Sequence, residues 1–209
     1  MAAPKKLEEA EKLDLLKVHR EEYRAPKSPR LLDIPTGHYL AVDGRGEPGG
    51  EAFEASVGAL YAVAYTLKFA SKAAGRDYTV SKLEALWWAA GGEAELDAVP
   101  RAQWRWKLMI RRPEFIARPQ LDAALAALRR KAKGEGCEAV DLESLSEGRC
   151  VQMLHVGPYD QEGDTLSRMR QAAEEGGLAF RGRHHEIYLS DPRRVEPQRL
   201  RTILRRPVG

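Results

Sequence analysis

The chain has 209 residues, 43% of them hydrophobic and 31% charged, enough for one domain or two small ones with a real core. Its mean hydropathy of -0.50 and the lack of an apolar run long enough to span a bilayer argue against a membrane protein. Lys and Arg number 34 against 31 Asp and Glu, a net charge of +3, which suggests neither a nucleic-acid coat nor a membrane-surface binder.

Residues 1 to about 30 read as an N-terminal peripheral arm, a charged stretch that ends at Ala25-Pro26-Lys27-Ser28-Pro29 because proline stops a helix. The rest, 31–209, reads as one domain made of a duplicated module, about 31–134 and 148–209. The first unit opens with a strand at His38–Asp43 and a turn at Gly44–Gly50. A long helix over about Glu51–Ala73 follows, closed by Gly75. Strands are expected at about Thr79–Ala89 and Trp104–Arg111, then a helix from Pro119 to Lys133. The second unit has a strand at Arg149–Val156, a Gly157-Pro158-Tyr159 turn, a helix at Glu162–Glu175 and a strand at Arg183–Leu189. A basic segment containing Pro197 closes the chain. Strand, glycine turn, helix and strands thus occur twice, which predicts an α+β fold. Its two pseudo-symmetric β-α-β-β modules build an antiparallel sheet, with helices on one side.

Periodicity sorts the side chains. Phe53, Val57, Leu60, Ala64 and Leu67 form the buried stripe of the long helix. Tyr61 and Tyr65, four residues apart, share an adjacent face; they are either core aromatics or the lining of a cavity. All four tryptophans, 87, 88, 104 and 106, fall on two strands, which suits either a tryptophan-rich core or a flat-walled pocket for a planar ligand. In the last predicted strand, alternation puts Ile187 and Leu189 on one face and His184, Glu186 and Tyr188 on the other. Ile187 and Leu189 are expected to pack under the helices, with Glu186 facing across the sheet. Glu186 is then either a solvated strand residue or a carboxylate in apolar surroundings, fit to act as base, acid or counter-charge.

Other chemistries lack a pattern. His184 and His185 are adjacent on a strand and point to opposite faces, and His19, His38 and His155 have no partner at metal-ligand spacing. No metal or cofactor is expected. A P-loop, a complete dinucleotide fingerprint and a nucleophile elbow are all missing. Cys137 and Cys150 make no CxxC pair, which fits a reducing compartment, and the N-terminus lacks the apolar stretch of a secretory signal. The expected location is the cytoplasm.

Three groups of residues carry a resemblance, in order, over about residues 30 to 208. They are Val42-Asp43-Gly44-Arg45-Gly46-Glu47-Pro48 with Ala59–Phe69; Leu83–Trp88 with Trp104–Pro113; and His155–Tyr159 with His185–Pro192. The chain resembles stand-alone members of the GyrI-like small-molecule-binding family. The resemblance implies a ligand cavity between the two modules and a carboxylate at Glu186 that meets cationic aromatic ligands. It also implies hydrolysis of the cyclopropane in DNA-alkylating natural products, as some stand-alone members perform. Glu186 would activate water, and Tyr65, beside Tyr61, would donate a proton or fix Glu186. Trp88, Trp106 and Tyr188 would stack on the flat substrate, with Met109 completing the lining. Ala85 stands where the family's Leu-Glu-Gly-Leu-Trp-Trp pattern has glycine. The alternative is binding, sequestration or sensing without turnover. A helix-turn-helix would not fit ahead of the first matching strand, so a complete DNA-binding regulator is not expected. The expected partner is an aromatic small molecule, with no membrane or direct nucleic-acid contact. DNA gyrase, bound by the family's namesake, is disfavoured by the net positive charge. The chain is expected to be a monomer or homodimer.

Overall fold

The longest apolar stripe makes the longest helix. In the computed structural model, which describes residues 12–89 and 96–209, α2 (Glu51–Ala73) buries Phe53, Leu60, Ala64 and Leu67. Its first turn carries Glu51 and Glu54, where the helix dipole favours negative charge. The chain leaves it through Gly75, at a φ of 77° that glycine adopts freely. No helix among the described residues is long and apolar enough to cross a membrane.

In chain order the other elements are α1 (Leu15–Val18), β1 (Arg30–Ile34), β2 (Gly37–Arg45), β3 (Leu83–Ala89), β4 (Trp104–Arg111), α3 (Arg118–Arg130), β5 (Asp141–Leu145), β6 (Gly148–Val156), α4 (Gly163–Glu175), β7 (His184–Tyr188) and β8 (Arg201–Pro207). The eight strands form one antiparallel sheet in the order β1-β6-β8-β7-β3-β4-β2-β5. The expected duplication is present: β2-α2-β3-β4 and β6-α4-β7-β8 are related across the β7–β3 seam.

Each module is preceded by a short strand that pairs with the other module. β1 runs into β2 but pairs with β6, and β5 runs into β6 but pairs with β2. Only residues 35–36 separate β1 from β2, and 146–147 separate β5 from β6. Three Cα steps reach at most roughly 11 Å, so the sheet must curl until its two ends approach. The Thr36 and Ser146 hydroxyls meet there at 2.8 Å.

One sheet face carries the helices. Leu40, Val42, Ala85, Trp87, Trp106, Leu108 and Ile110 pack beneath α2 and α3. Val151, Met153 and Leu204 pack with Met169 and Ala173 of α4. The face beneath β7 is the reverse of the expected one. Ile187 and Leu189 lie with Tyr23, Leu154 and Ile203 beneath the N-terminal segment, while Glu186 is in register with Ala85 and Leu204 on the helix face. Alternation fixes which residues share a face, but not which face the helices cover.

The opposite face holds a buried ion network. Tyr23 Oη donates to Glu84 Oε1 at 2.6 Å, and Glu84 Oε2 lies 3.1 Å from His185 Nε2. His185 Nδ1 meets Glu147 at 3.0 Å, and Arg205 donates to Glu147, Gln152 and the Glu22 carbonyl. Arg111 donates to Glu22 at 2.6 Å. Carboxylates at both ring nitrogens favour the doubly protonated, cationic ring of His185. Burial works against that charge, but Glu147 and Glu84 outweigh it and raise the His185 pKa. Three carboxylates then face three cations, as burial requires. Residues 12–29 are therefore integral to the structure: Glu22 and Tyr23 complete this network, and Leu13 bridges to Tyr78.

Candidate functional site

Helices α2 and α4 leave a groove between them over the β3–β7 seam, about 1580 Å³ in volume. Phe53, Val57, Tyr61 and Tyr65 of α2 form one wall; Tyr159, Glu162 and Leu166 form the other; Trp87, His184, Glu186 and Tyr188 lie on the floor. The aromatic rings are mutually packed. Phe53 stacks on Trp87 at 5.6 Å, Trp104 meets Trp87 edge-on at 5.8 Å, and Tyr159 meets Tyr188 edge-on at 5.7 Å. Tyr61 and Tyr65 stack at 6.1 Å, as four-residue spacing on a helix allows. Planar walls of this kind suit a flat ligand.

The floor is acidic and mostly buried. Tyr188 Oη accepts from Trp87 Nε1 at 3.2 Å and feels the charge of Glu186 beside it. Burial and then the Glu186 charge push the Tyr188 hydroxyl well above its usual pKa, so it acts as a donor. His184 Nε2 lies 3.2 Å from Glu186 Oε1 and 3.7 Å from Glu162 Oε2. Burial disfavours a charged imidazole, but the two carboxylates outweigh it and raise His184 to about 9. Burial and the Glu186 charge push Glu162 up to about 7, against the pull of His184. Tyr159 is raised to about 12 by burial and then by both carboxylates.

Glu162, His184 and Glu186 each place one donor atom within 4.8 Å of the others, so by residue type they could hold a divalent ion. A metal-bound imidazole nearly always donates its second N–H to a partner. His184 Nδ1 has no hydrogen-bond partner among the described residues. With Nε2 turned to both carboxylates at 3.2 and 3.7 Å, the arrangement as it stands is that of an ion pair.

Of the residues singled out by sequence, the groove brings together Glu186, Tyr61, Tyr65 and Tyr188. Tyr65 is 48% exposed at the groove mouth. Trp88 reaches the groove's edge, but from the opposite strand face to Trp87, with the Arg183 guanidinium 3.7 Å over its ring. Two expectations are corrected. Trp106 is fully buried beneath Phe53 and does not line the groove. Met109 lies on the other sheet face with Tyr39, Ala41 and Leu86. Among the groove residues that the sequence reading did not single out as ligand contacts are Trp87, Tyr159, Glu162 and His184. Trp87 shares its strand face with Ala85, opposite Glu186 in the register. Glu162 gives no periodic signal, being the residue just before α4.

A family model for the GyrI-like small molecule binding domain matches residues 27–208. Among solved structures, an uncharacterized conserved protein from Listeria innocua is 37% identical with a TM-score of 0.88, over 95% of this chain and all of that one. Two crystal structures of hydrolases from Listeria innocua are 36% and 38% identical, each with a TM-score of 0.85 and the same coverage. The C-terminal domain of EcmrR, 13% identical with a TM-score of 0.55 over 87% of this chain and 97% of that one, shares the fold. No curated relative matches the chain.

Proposed function

Because the chain belongs to the GyrI-like small molecule binding domain family, we propose that its groove binds flat aromatic compounds and hydrolyses the cyclopropane of DNA-alkylating members of that class, a detoxification. The observation that carries this reading is a carboxylate, Glu186, set among aromatic walls and paired with His184 at 3.2 Å. The hydrolase relatives support a hydrolytic reaction of some kind.

In a spirocyclopropane fused to a dienone, water attacks the ring methylene. A C–O bond forms, the strained C–C bond breaks, and its electron pair passes through the ring to the carbonyl oxygen, leaving a phenol. Glu186 orients the water and takes its proton. The phenolic oxygen receives a proton from a tyrosine hydroxyl of α2, Tyr65 with Tyr61 beside it, which is refilled from solvent. Strain release and aromatisation supply much of the driving force, so catalysis here is chiefly positioning between stacked rings.

The test is turnover of a spirocyclopropane alkylator, followed by mass as the water adduct, for wild type, Glu186→Gln and buffer alone. Catalytic adduct formation that drops at least ~100-fold in Glu186→Gln is expected, in line with loss of a general base. Wild-type rates no higher than buffer, with the compound still bound, would reject hydrolysis. They would leave the second reading, binding or sequestration of planar cations, which the clustered carboxylates Glu162 and Glu186 favour.

A further inference from the structure

Glu162 is placed oddly for a structural residue. It occupies the N-cap of α4, yet its side chain makes no capping hydrogen bond. Instead it points down to His184, and its Oε1 is buried without a hydrogen-bond partner among the described residues. His184, only 4% exposed, meets the two carboxylates through Nε2 at ion-pair distance, while its Nδ1 has no hydrogen-bond partner among the described residues. A buried acid and a buried imidazole with unused capacity, both turned into a ligand-sized groove, cost stability unless something else uses them.

We propose that Glu162 and His184 are positioning residues that act with Glu186 as one unit: His184 bridges the two carboxylates as a cation, and Glu162 sets whether the unit presents a net negative charge to the ligand. This rests on the reading of the groove as the binding site, but not on turnover. With both carboxylates ionised and His184 charged, the unit carries -1; protonation of Glu162 takes it to zero. A cation lying on the floor is then bound together with loss of a proton from Glu162. The Glu162 position near 7 puts that exchange at neutral pH.

The other charged and titratable groups of the groove come from every element around the unit. Tyr159 precedes α4, Arg170 lies on α4, and Tyr188 on β7 with Asp191 just after it. Arg206 of β8 and Arg170 both pack on the Phe180 ring. Glu54, Tyr61 and Tyr65 face in from α2, with Lys82, Arg101, Asp160, Arg193 and Arg194 at the rim. Tyr159, Tyr61 and Tyr188 are all raised, by burial first, and stay neutral between pH 6 and 8. Arg193 and Arg194 pair with Asp191. Within that range, Glu162 is the group of the unit that changes charge.

The experiment measures affinity for 10-methylacridinium, a planar permanent cation, and for uncharged anthracene between pH 6 and 8. It is paired with an NMR titration of the His184 ring. If only the ionised form of Glu162 favours the cation, affinity for it rises by up to about tenfold over that range, while anthracene stays flat. Glu162→Gln flattens the cation curve to less than about twofold and moves the His184 titration down. Glu162→Asp, which keeps the charge, restores the slope and guards against a mere folding defect. A neutral His184 ring at pH 7, or an unchanged slope in a folded Glu162→Gln protein, overturns the proposal. So does stoichiometric Zn²⁺ binding that is lost in both Glu162→Gln and Glu186→Gln, since the cluster would then be a metal site. Lack of hydrolysis alongside the pH-linked affinity supports the proposal and removes only the turnover reading.

Discussion

Glu147→Gln removes one charge from the ion network behind β7 and keeps the side-chain shape. Glu147 sits in the two-residue link between β5 and β6 and accepts from His185 and Arg205, each at 3.0 Å, with its side chain 3% exposed. Burial pushes its carboxyl up, but His185 and Arg205 outweigh burial and hold it at about 2, down from 4.5. That depression corresponds to ~3 kcal/mol of stability at neutral pH. Removing one partner of a buried pair costs about 3–5 kcal/mol, in agreement. The folded value lies below the unfolded one, so this stability is fully present above pH 4.5 and is lost as pH falls from 4.5 towards 2. Urea unfolding at pH 7, 4 and 3 measures it. The variant should be ~3 kcal/mol less stable at pH 7, a drop in Tm of roughly 6–12 °C, and the two proteins should converge as the pH falls. A variant within about 0.5 kcal/mol of wild type at pH 7, with the same acid limb, would show that the network contributes nothing net.

Three further outcomes follow from the geometry. Gly44→Ala drives a Cβ into the Trp106 ring, and should lower stability by ~1–3 kcal/mol in a thermal melt; an unchanged melt would mean Trp106 moves freely. Tyr61→Ala, which strips half of the stacked α2 wall, should weaken a planar ligand by roughly 5- to 15-fold, from a stacking contribution of about 1–1.5 kcal/mol, measured by fluorescence titration. Met109→Leu should leave ligand affinity within about twofold, because Met109 lies on the far sheet face; a larger loss by the same titration would place the ligand elsewhere.

Much of the fold is legible in the sequence because its longer elements carry strong patterns. The helix at 51–73 falls where its periodicity and bounding glycines put it, and the strand at 104–111 where its alternation does. β1 and β5 are not legible: they are five-residue edge strands with charged residues, and their pairing depends on a crossover that no local pattern records. β8 reads as a basic tail because Arg201, Arg205 and Arg206 mask its alternation; Arg205 is buried only because Glu147, Gln152 and the Glu22 carbonyl are there to receive it. The groove is half legible. Glu186 and the α2 tyrosines stand out by alternation and spacing, whereas Glu162 and His184 gain meaning only from the fold that brings α4 over β7.

The crossed edge strands make the two halves hostages to one another. A cut in the exposed stretch 131–135 would leave β1 on the first fragment, where the second needs it, and β5 on the second, where the first needs it. Neither fragment alone could complete its sheet, and intact chain should unfold in a single step rather than half by half. Mixed together, the fragments should complement. Because α2 comes from one and α4 from the other, the binding groove would exist only in the reassembled pair, so recovered ligand affinity would itself report association.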